Sequence, residues 1–222
     1  MWCIPSLTPQ FIERMEHLIT LYHTPYNQKE PIVCVDEKSK QLLIDTRPYV
    51  PATPDTLKKV DYEYQRNGTR NLFVAVEPKA GYRSVQVTKR RTKQDFAHFV
   101  RQLLQRRYRF IKKLHLVVDN LNTHFGKSFY ETFSKTEAEK ILKKIQFHYT
   151  PKHASWMNMA EIEINVLSKQ ALMQRIGTEE HMKAIVKAWQ ARRNRRHEKI
   201  HWQFTVKDAR AKLNYEPFKL KK

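Results

Sequence analysis

Leu114-His-Leu-Val-Val-Asp119 is a short, unbroken apolar run that stops at a carboxylate, and Pro31-Ile-Val-Cys-Val-Asp36 repeats the pattern near the start of the chain. A third run, Ile145-Gln-Phe-His-Tyr149, leads into a stretch of helical spacing that carries Glu161. Runs of this kind predict buried strands of a mixed or parallel sheet, apolar on both faces. Acids at the carboxyl ends of such strands converge in the crevice where open α/β sheets place their chemistry. Converging buried carboxylates repel one another unless a cation joins them, and three carboxylates suit a hard, oxygen-seeking ion, Mg2+ or Mn2+. Asp36, Asp119 and Glu161 are therefore the candidate catalytic and metal-holding residues.

Outward from these runs, residues 9–22 place Phe11, Met15, Leu18, Ile19 and Tyr22 at helical spacing. Residues 46–60 are Pro-rich and aperiodic, which predicts a loop. Asn67-Gly68 predicts a hairpin turn between strands over 60–66 and 69–77, and Tyr82–Thr88 alternates as a further strand. Thr92, with Asp95 behind it, predicts the start of a helix whose apolar face is Phe96, Phe99, Val100, Leu103 and Leu104. More helix is expected over about 126–144, from a cap at Ser155 through Glu161, over about 179–197, and from Thr205. This order predicts a mixed five-stranded α/β sheet flanked by helices. Residues 1–25 read as a helix leading into the core, 26–175 as the core, and 176–222 as a basic helical extension.

The 222 residues carry a formal net charge of +20, unevenly spread. Residues 1–88 hold 11 basic and 10 acidic side chains, and residues 114–168 hold 6 of each. Residues 89–113 hold 10 basic and 1 acidic, and residues 169–222 hold 15 and 5. The acid-bearing segments are nearly neutral, and two blocks carry the excess charge. Such blocks suit a polyanion, most economically nucleic acid, whereas a single Lys-rich helix reads as solvated surface. No run approaches the ~20 apolar residues of a membrane span. Cys3 and Cys34 lack the spacing of a zinc site or a disulfide framework, which fits a cytoplasmic protein.

Glu161 and Glu163 compete for the third position. At about 100° per residue, Asn158, Asn165, Ser168 and Lys169 share an arc with Glu161, while Glu163 lies among Trp156, Met159 and Leu167. The polar arc marks Glu161 as the active-site acid and leaves Glu163 to pair with an Arg or Lys at the edge of the core.

The segments Val33-Cys-Val-Asp-Glu-Lys-Ser-Lys-Gln41, Tyr62-Glu-Tyr-Gln-Arg-Asn-Gly-Thr69, Leu116-Val-Val-Asp-Asn-Leu-Asn-Thr-His124 and His148-Tyr-Thr-Pro-Lys-His-Ala-Ser-Trp-Met-Asn-Met-Ala-Glu-Ile-Glu163 together resemble the catalytic domain of a DDE transposase. The likeness is to the bacterial insertion-sequence branch of the mariner superfamily, and it continues into Trp202-Gln-Phe-Thr and Asp208-Ala-Arg-Ala-Lys-Leu213. It implies a ribonuclease H-like, integrase-like fold and a triad of Asp36, Asp119 and Glu161 holding two Mg2+ or Mn2+ ions. Asp36 would bridge both ions, with Asp119 on one and Glu161 on the other. The implied activity is DNA strand cleavage and strand transfer at element ends, on double-stranded DNA, by a homodimer. Between the aspartates lie 82 residues, and 41 separate Asp119 from Glu161, the second gap being longer than is usual in mariner relatives. The resemblance begins at Trp2-Cys-Ile-Pro, so the helix-turn-helix modules of such transposases are absent; a truncated relic, or the second frame of a split element joined by frameshifting to an upstream helix-turn-helix protein, is expected.

Other residues have more than one reading. Asn120 and His124 follow Asp119; His124 either touches the scissile phosphate, orients a ligand or caps the next helix. Asn158 either binds a metal-bound water or phosphate, or starts the helix. His124, His148 and His153 lack zinc spacing. Trp156 and Trp189 read as core. Lys89, Arg90, Arg91, Lys152, Lys169, Arg192, Arg193, Arg195 and Arg196 are the residues expected to meet DNA. A nuclease of the same fold without strand transfer, and an inactive DNA-binding relic, are the alternatives.

Overall fold

The computed structural model describes residues 7–121 and 123–216. Its elements run α1 (Pro9–His23), β1 (Ile32–Asp45), β2 (Tyr64–Glu77), β3 (Tyr82–Thr88), α2 (Lys93–Arg106), β4 (Leu114–Val118), α3 (Lys127–Tyr130), α4 (Lys135–Leu142), β5 (Ile145–Tyr149), α5 (Met159–Ala171), α6 (Glu179–Arg195) and α7 (Val206–Leu213). The five strands form one sheet in the order β3-β2-β1-β4-β5. β1 is antiparallel to β2 and β2 to β3, whereas β4 is parallel to both β1 and β5.

Alternation along the strands divides the apolar side chains between two layers. Val33, Val35, Phe73, Ala75, Leu114, Leu116 and Val118 pack with Phe96, Phe99 and Leu103 of α2, Phe129 of α3 and Ile141 of α4. On the opposite face, Cys34, Val76 and Val117 meet Met15, Leu18 and Ile19 of α1, Ala160 of α5 and Ala209 of α7. On that same face, Leu72 and Val74 meet Leu167 of α5 and Met182, Val186 and Trp189 of α6. Both faces are covered, which is why the strands read as continuous apolar runs. Cys34 is buried and its thiol is pushed up to about 12, first by desolvation; Cys3 lies outside the described residues. Among the described residues no helix is long and apolar enough to cross a membrane.

Several local expectations change. β1 does not stop at Asp36 but continues to Asp45, its polar second half pairing with β2 alone. Asn67-Gly68 is not a hairpin turn. It lies inside β2, where the register slips between the Gln41–Thr69 and Leu43–Arg66 pairs. Two residues there oppose the single Leu42, so this is a bulge, and Gly68 supplies the positive φ it needs, +80°. The β1–β2 connection is instead 46–63. The helix expected over 126–144 is two, with Ser134 capping α4. Ser155 opens a single 3₁₀ turn, and Asn158 caps α5. Thr92 and Thr205 each form a capping box, with Asp95 and Asp208. Trp189 is core at 2% exposure, but Trp156 is 43% exposed.

His148 of β5 sits between two other histidines: its Nδ1 is 2.8 Å from His17 Nε2 of α1, and its Nε2 is 2.9 Å from His115 Nδ1 of β4. Burial first, then His17 and His115, lower its pKa to about 4. A histidine held below its unfolded value binds fewer protons folded than unfolded between about 4 and 6.5. Its contribution is therefore intact above pH 6.5 and lost as pH falls toward 4. Chemical denaturation of wild type and His148→Gln across this window should show wild type losing roughly 3 kcal/mol more than the variant on acidification.

Candidate active site

The parallel pairing of β1 with β4 sets the site. Cys34 pairs with Val117, so two residues further along each strand direction come Asp36 and Asp119, both on the face covered by α5. β4 ends at Val118, leaving Asp119 at the strand's carboxyl end. The third acid is brought by Asn158, which is fully buried. Its amide donates to the Val35 carbonyl at 2.9 Å, and its Oδ1 accepts from the Ala160 N–H at 3.1 Å. One side chain thus caps α5 and fastens its first turn, which holds Glu161, over β1 beside Asp36. Of the two readings of Asn158, the helix start is the one these hydrogen bonds show.

Asp36 feels its neighbours. Desolvation is the main cause that raises its pKa to about 7; the Glu37 N–H, donating to its Oδ1 at 2.7 Å, opposes this, and the charges of Asp119, Glu37 and Glu161 add to the rise. Among the described residues, no three His, Cys, Asp or Glu side chains stand close enough to form a ready-made metal site. The donor set nevertheless fits a hard divalent cation: all three groups are carboxylates, and a cation would offset the burial and the neighbouring negative charge that together raise the proton affinity of Asp36.

The His124 side chain is fully buried, and both of its ring nitrogens meet carboxylates rather than a helix end. Its Nδ1 lies 2.6 Å from Asp119 Oδ1 and its Nε2 lies 2.7 Å from Glu37 Oε1. Burial opposes its charge, but the hydrogen bonds to the two carboxylates and their charges outweigh this and raise its pKa to about 9. At neutral pH it is a cation donating to both acids. Asn120 braces the same corner, its amide donating to the Thr150 carbonyl at 2.6 Å while its Oδ1 accepts from Arg14 at 2.9 Å. Asn122, within the Asp119 motif, lies outside the described residues.

Glu163 faces away from the acids. It is fully buried and meets Arg83 of β3 in a two-pronged pair, Nε–Oε1 2.8 Å and Nη2–Oε2 2.9 Å, with Arg83 also fully buried. Arg193 adds bonds of 3.1 and 3.2 Å to the same carboxylate. The expected Arg partner is there, and Arg193 is thereby corrected: its guanidinium serves Glu163 rather than an open DNA-facing surface. Gly81 is part of the packing around this pair, because a Cβ there would collide with the backbone of His197.

The other expected DNA-facing residues, Lys89, Arg90, Arg91, Lys152, Lys169, Arg192, Arg195 and Arg196, are all exposed. They do not form one patch. Lys89–Arg91 follow β3 at the end of the sheet toward which β1 runs past Asp36, since Thr88 pairs with Asn71 and Asn71 with Ser39. Arg192, Arg195 and Arg196 lie at the other end of β3, where Asn194 bonds both backbone groups of Arg83. Lys169 and Arg192 share the rim of a groove between α5 and α6, with Met173 and Trp189. Sequence reasoning missed Glu37 and Arg83. The signal for Glu37 was its place in the alternation Val33, Val35, Glu37; nothing local marks Arg83.

The sequence model of the DDE superfamily endonucleases matches residues 31–183, which is most of the chain. The chain belongs to that family. Its fold is ribonuclease H-like, and solved structures agree with it. A Mos1 mariner paired-end complex with Mn aligns at TM-score 0.55 and 16% identity, covering 89% of this chain and 61% of that one. The Mos1 strand transfer complex aligns at 0.56 and 14%, covering 89% and 60%. A Mos1 paired-end complex with the left transposon end aligns at 0.51 and 16%, again covering 89% and 60%. This DDE chain thus spans about three fifths of the length of those proteins, and at such identities the likeness is one of fold. No curated protein matches it.

The two glutamates of α5 should respond oppositely to loss of charge. Glu161→Gln relieves repulsion on Asp36 and should keep or raise the metal-free melting temperature. Glu163→Gln leaves Arg83 and Arg193 facing a neutral amide in a buried site and should cost about 3–5 kcal/mol. Thermal and chemical denaturation of both variants without metal measures the contrast.

Proposed function

We propose that this chain is the catalytic domain of a transposase that cleaves DNA strands and joins a 3′-hydroxyl to target DNA. The observation that carries the reading is the grouping of Asp36, Asp119 and Glu161 at one end of a ribonuclease H-like sheet. Membership of the DDE endonucleases supports nuclease chemistry, and solved Mos1 assemblies with Mn and with transposon ends lend support to a divalent metal and a DNA partner.

The three acids would hold Mg2+ or Mn2+, as two ions, and bound ions of this kind activate the attacking oxygen and stabilise the leaving one in an in-line displacement at phosphorus. The chain's own residues supply position. Asn158 fixes the first turn of α5 to β1, and His124 holds Asp119. Asn120 ties the end of β4 to the residue after β5. The exposed cations Lys89, Arg90, Arg91, Lys152, Lys169, Arg192, Arg195 and Arg196 meet duplex phosphates, which suits the net charge of +20. The active assembly is a homodimer on double-stranded DNA.

Nicking of duplex DNA should require Mg2+ or Mn2+, with Ca2+ supporting binding only, because Mg2+ demands tight octahedral geometry that larger Ca2+ does not. Asp36→Asn should lose more than the ~10–100-fold that follows loss of a metal site's outer partners. Full activity in excess chelator would falsify the reading. Supplying pre-cut ends separates the transposase from a simple nuclease: joined products are expected, and cleavage without joining would contradict strand transfer.

Duplex affinity should fall steeply with salt, by ~10³–10⁵ between 50 and 200 mM if ~6–10 phosphates are neutralised. Replacing Arg192, Arg195 and Arg196 with Gln should flatten that slope in a filter-binding titration, whereas Arg193→Gln should chiefly lower stability.

A further inference from the structure

Glu37 occupies a position where the fold alone calls for an apolar side chain. It continues the stripe of Val33 and Val35 on the core face of β1, and its side chain is only 2% exposed. A carboxylate there is costly unless its oxygens are satisfied. Only Oε1 is: it meets His124 Nε2 at 2.7 Å, while Oε2 is buried without a hydrogen-bond partner. His124 is itself fully buried, its ring against Phe96 at 4.6 Å between centroids. Its other nitrogen reaches Asp119 Oδ1 at 2.6 Å. The Leu121 N–H donates to that same oxygen at 3.1 Å, so the hydrogen bonds described for Asp119 all fall on Oδ1 and none on Oδ2. The backbone N–H of Glu37 in turn donates to Asp36 Oδ1 at 2.7 Å. One residue therefore reaches both aspartates, Asp36 through its main chain and Asp119 through its side chain and His124.

We propose that Glu37 is a positioning residue for the cation site, holding His124 so that Asp36 and Asp119 each present their Oδ2 oxygens together. This rests on the reading of Asp36, Asp119 and Glu161 as cation ligands. A group that binds no metal itself but orients those that do is a common determinant of metal affinity. A purely structural Glu37 would affect melting and leave metal affinity in the folded protein unchanged.

The test is Mn2+ binding to the full chain without DNA, followed by the electron paramagnetic resonance signal of free Mn2+, with thermal melting in parallel. Wild type, Glu37→Gln, Glu37→Leu and Asp119→Asn are compared at one pH. Leu suits the apolar face and removes the unsatisfied carboxylate, so that variant should fold even if Gln does not. Expected is a ~10–100-fold weaker Mn2+ affinity in whichever Glu37 variant is folded. A folded Glu37→Leu that binds Mn2+ as wild type does, while Asp119→Asn does not, overturns the positioning role and leaves the metal site standing. Wild type that binds Mn2+ no better than Asp119→Asn removes the metal site itself, and this inference with it.

Discussion

Like charges held side by side by strand register are the constraint on which this structure turns. Backbone pairing between β1 and β4 runs to Cys34 and Val117 and is backed by apolar residues on both faces, so Asp36 and Asp119 follow from fixed, adjacent strand positions. Asp36 is largely withdrawn from water, and the resulting strain appears as a raised proton affinity. The surroundings offset this only in part, through the His124 cation on Asp119 and the Glu37 N–H on Asp36. They fix the acids in place: Asn158 from one side, His124 and Glu37 from the other. An arrangement that spends stability on immobile, repelling carboxylates is costly for folding and well suited to capturing a divalent cation.

The second fixed point is the Arg83–Glu163–Arg193 cluster. Two residues separate the roles on one helix: Glu161 faces the aspartates, and Glu163 is clamped beneath α6 against β3. Because Arg83 and Glu163 are both fully buried, rotating α5 enough to withdraw Glu161 would leave charges unpaired in the core. The clamp therefore sets the rotation of α5, and Asn158 sets its position along β1. A residue of the basic block, Arg193, is partly buried with its guanidinium on Glu163, so not every charge in that block is free to meet DNA.

Much of this was legible in sequence because it depends on local pattern. Strand runs buried on both faces, the Thr92 and Thr205 capping boxes, and the opposite facing of Glu161 and Glu163 all follow from periodicity and side-chain chemistry within a few residues. What failed depends on partners distant in sequence. Lys38, Ser39, Lys40 and Gln41 lie beyond the apolar run that ends at Asp36, yet they continue β1 because β2 pairs with them up to the bulge at Asn67 and Gly68. Asn-Gly favours positive φ in a turn and in a bulge alike, and only the neighbouring strand decides which. Asn158 replaced Ser155 as the cap because the carbonyl of Val35 lies within its reach. Glu37 and Arg83 were missed because each finds its partner 80 or more residues away.

The central claim is that Asp36 is held near its neighbours' charge and awaits a cation. Carboxyl carbon nuclear magnetic resonance of Asp36, titrated with and without Mg2+, addresses it directly. Without metal Asp36 should titrate near pH 7. With saturating Mg2+ the cation should displace the proton and move the titration well below that value. An Asp36 that titrates near 3.8 without metal, or one whose titration Mg2+ leaves unmoved, would contradict the account.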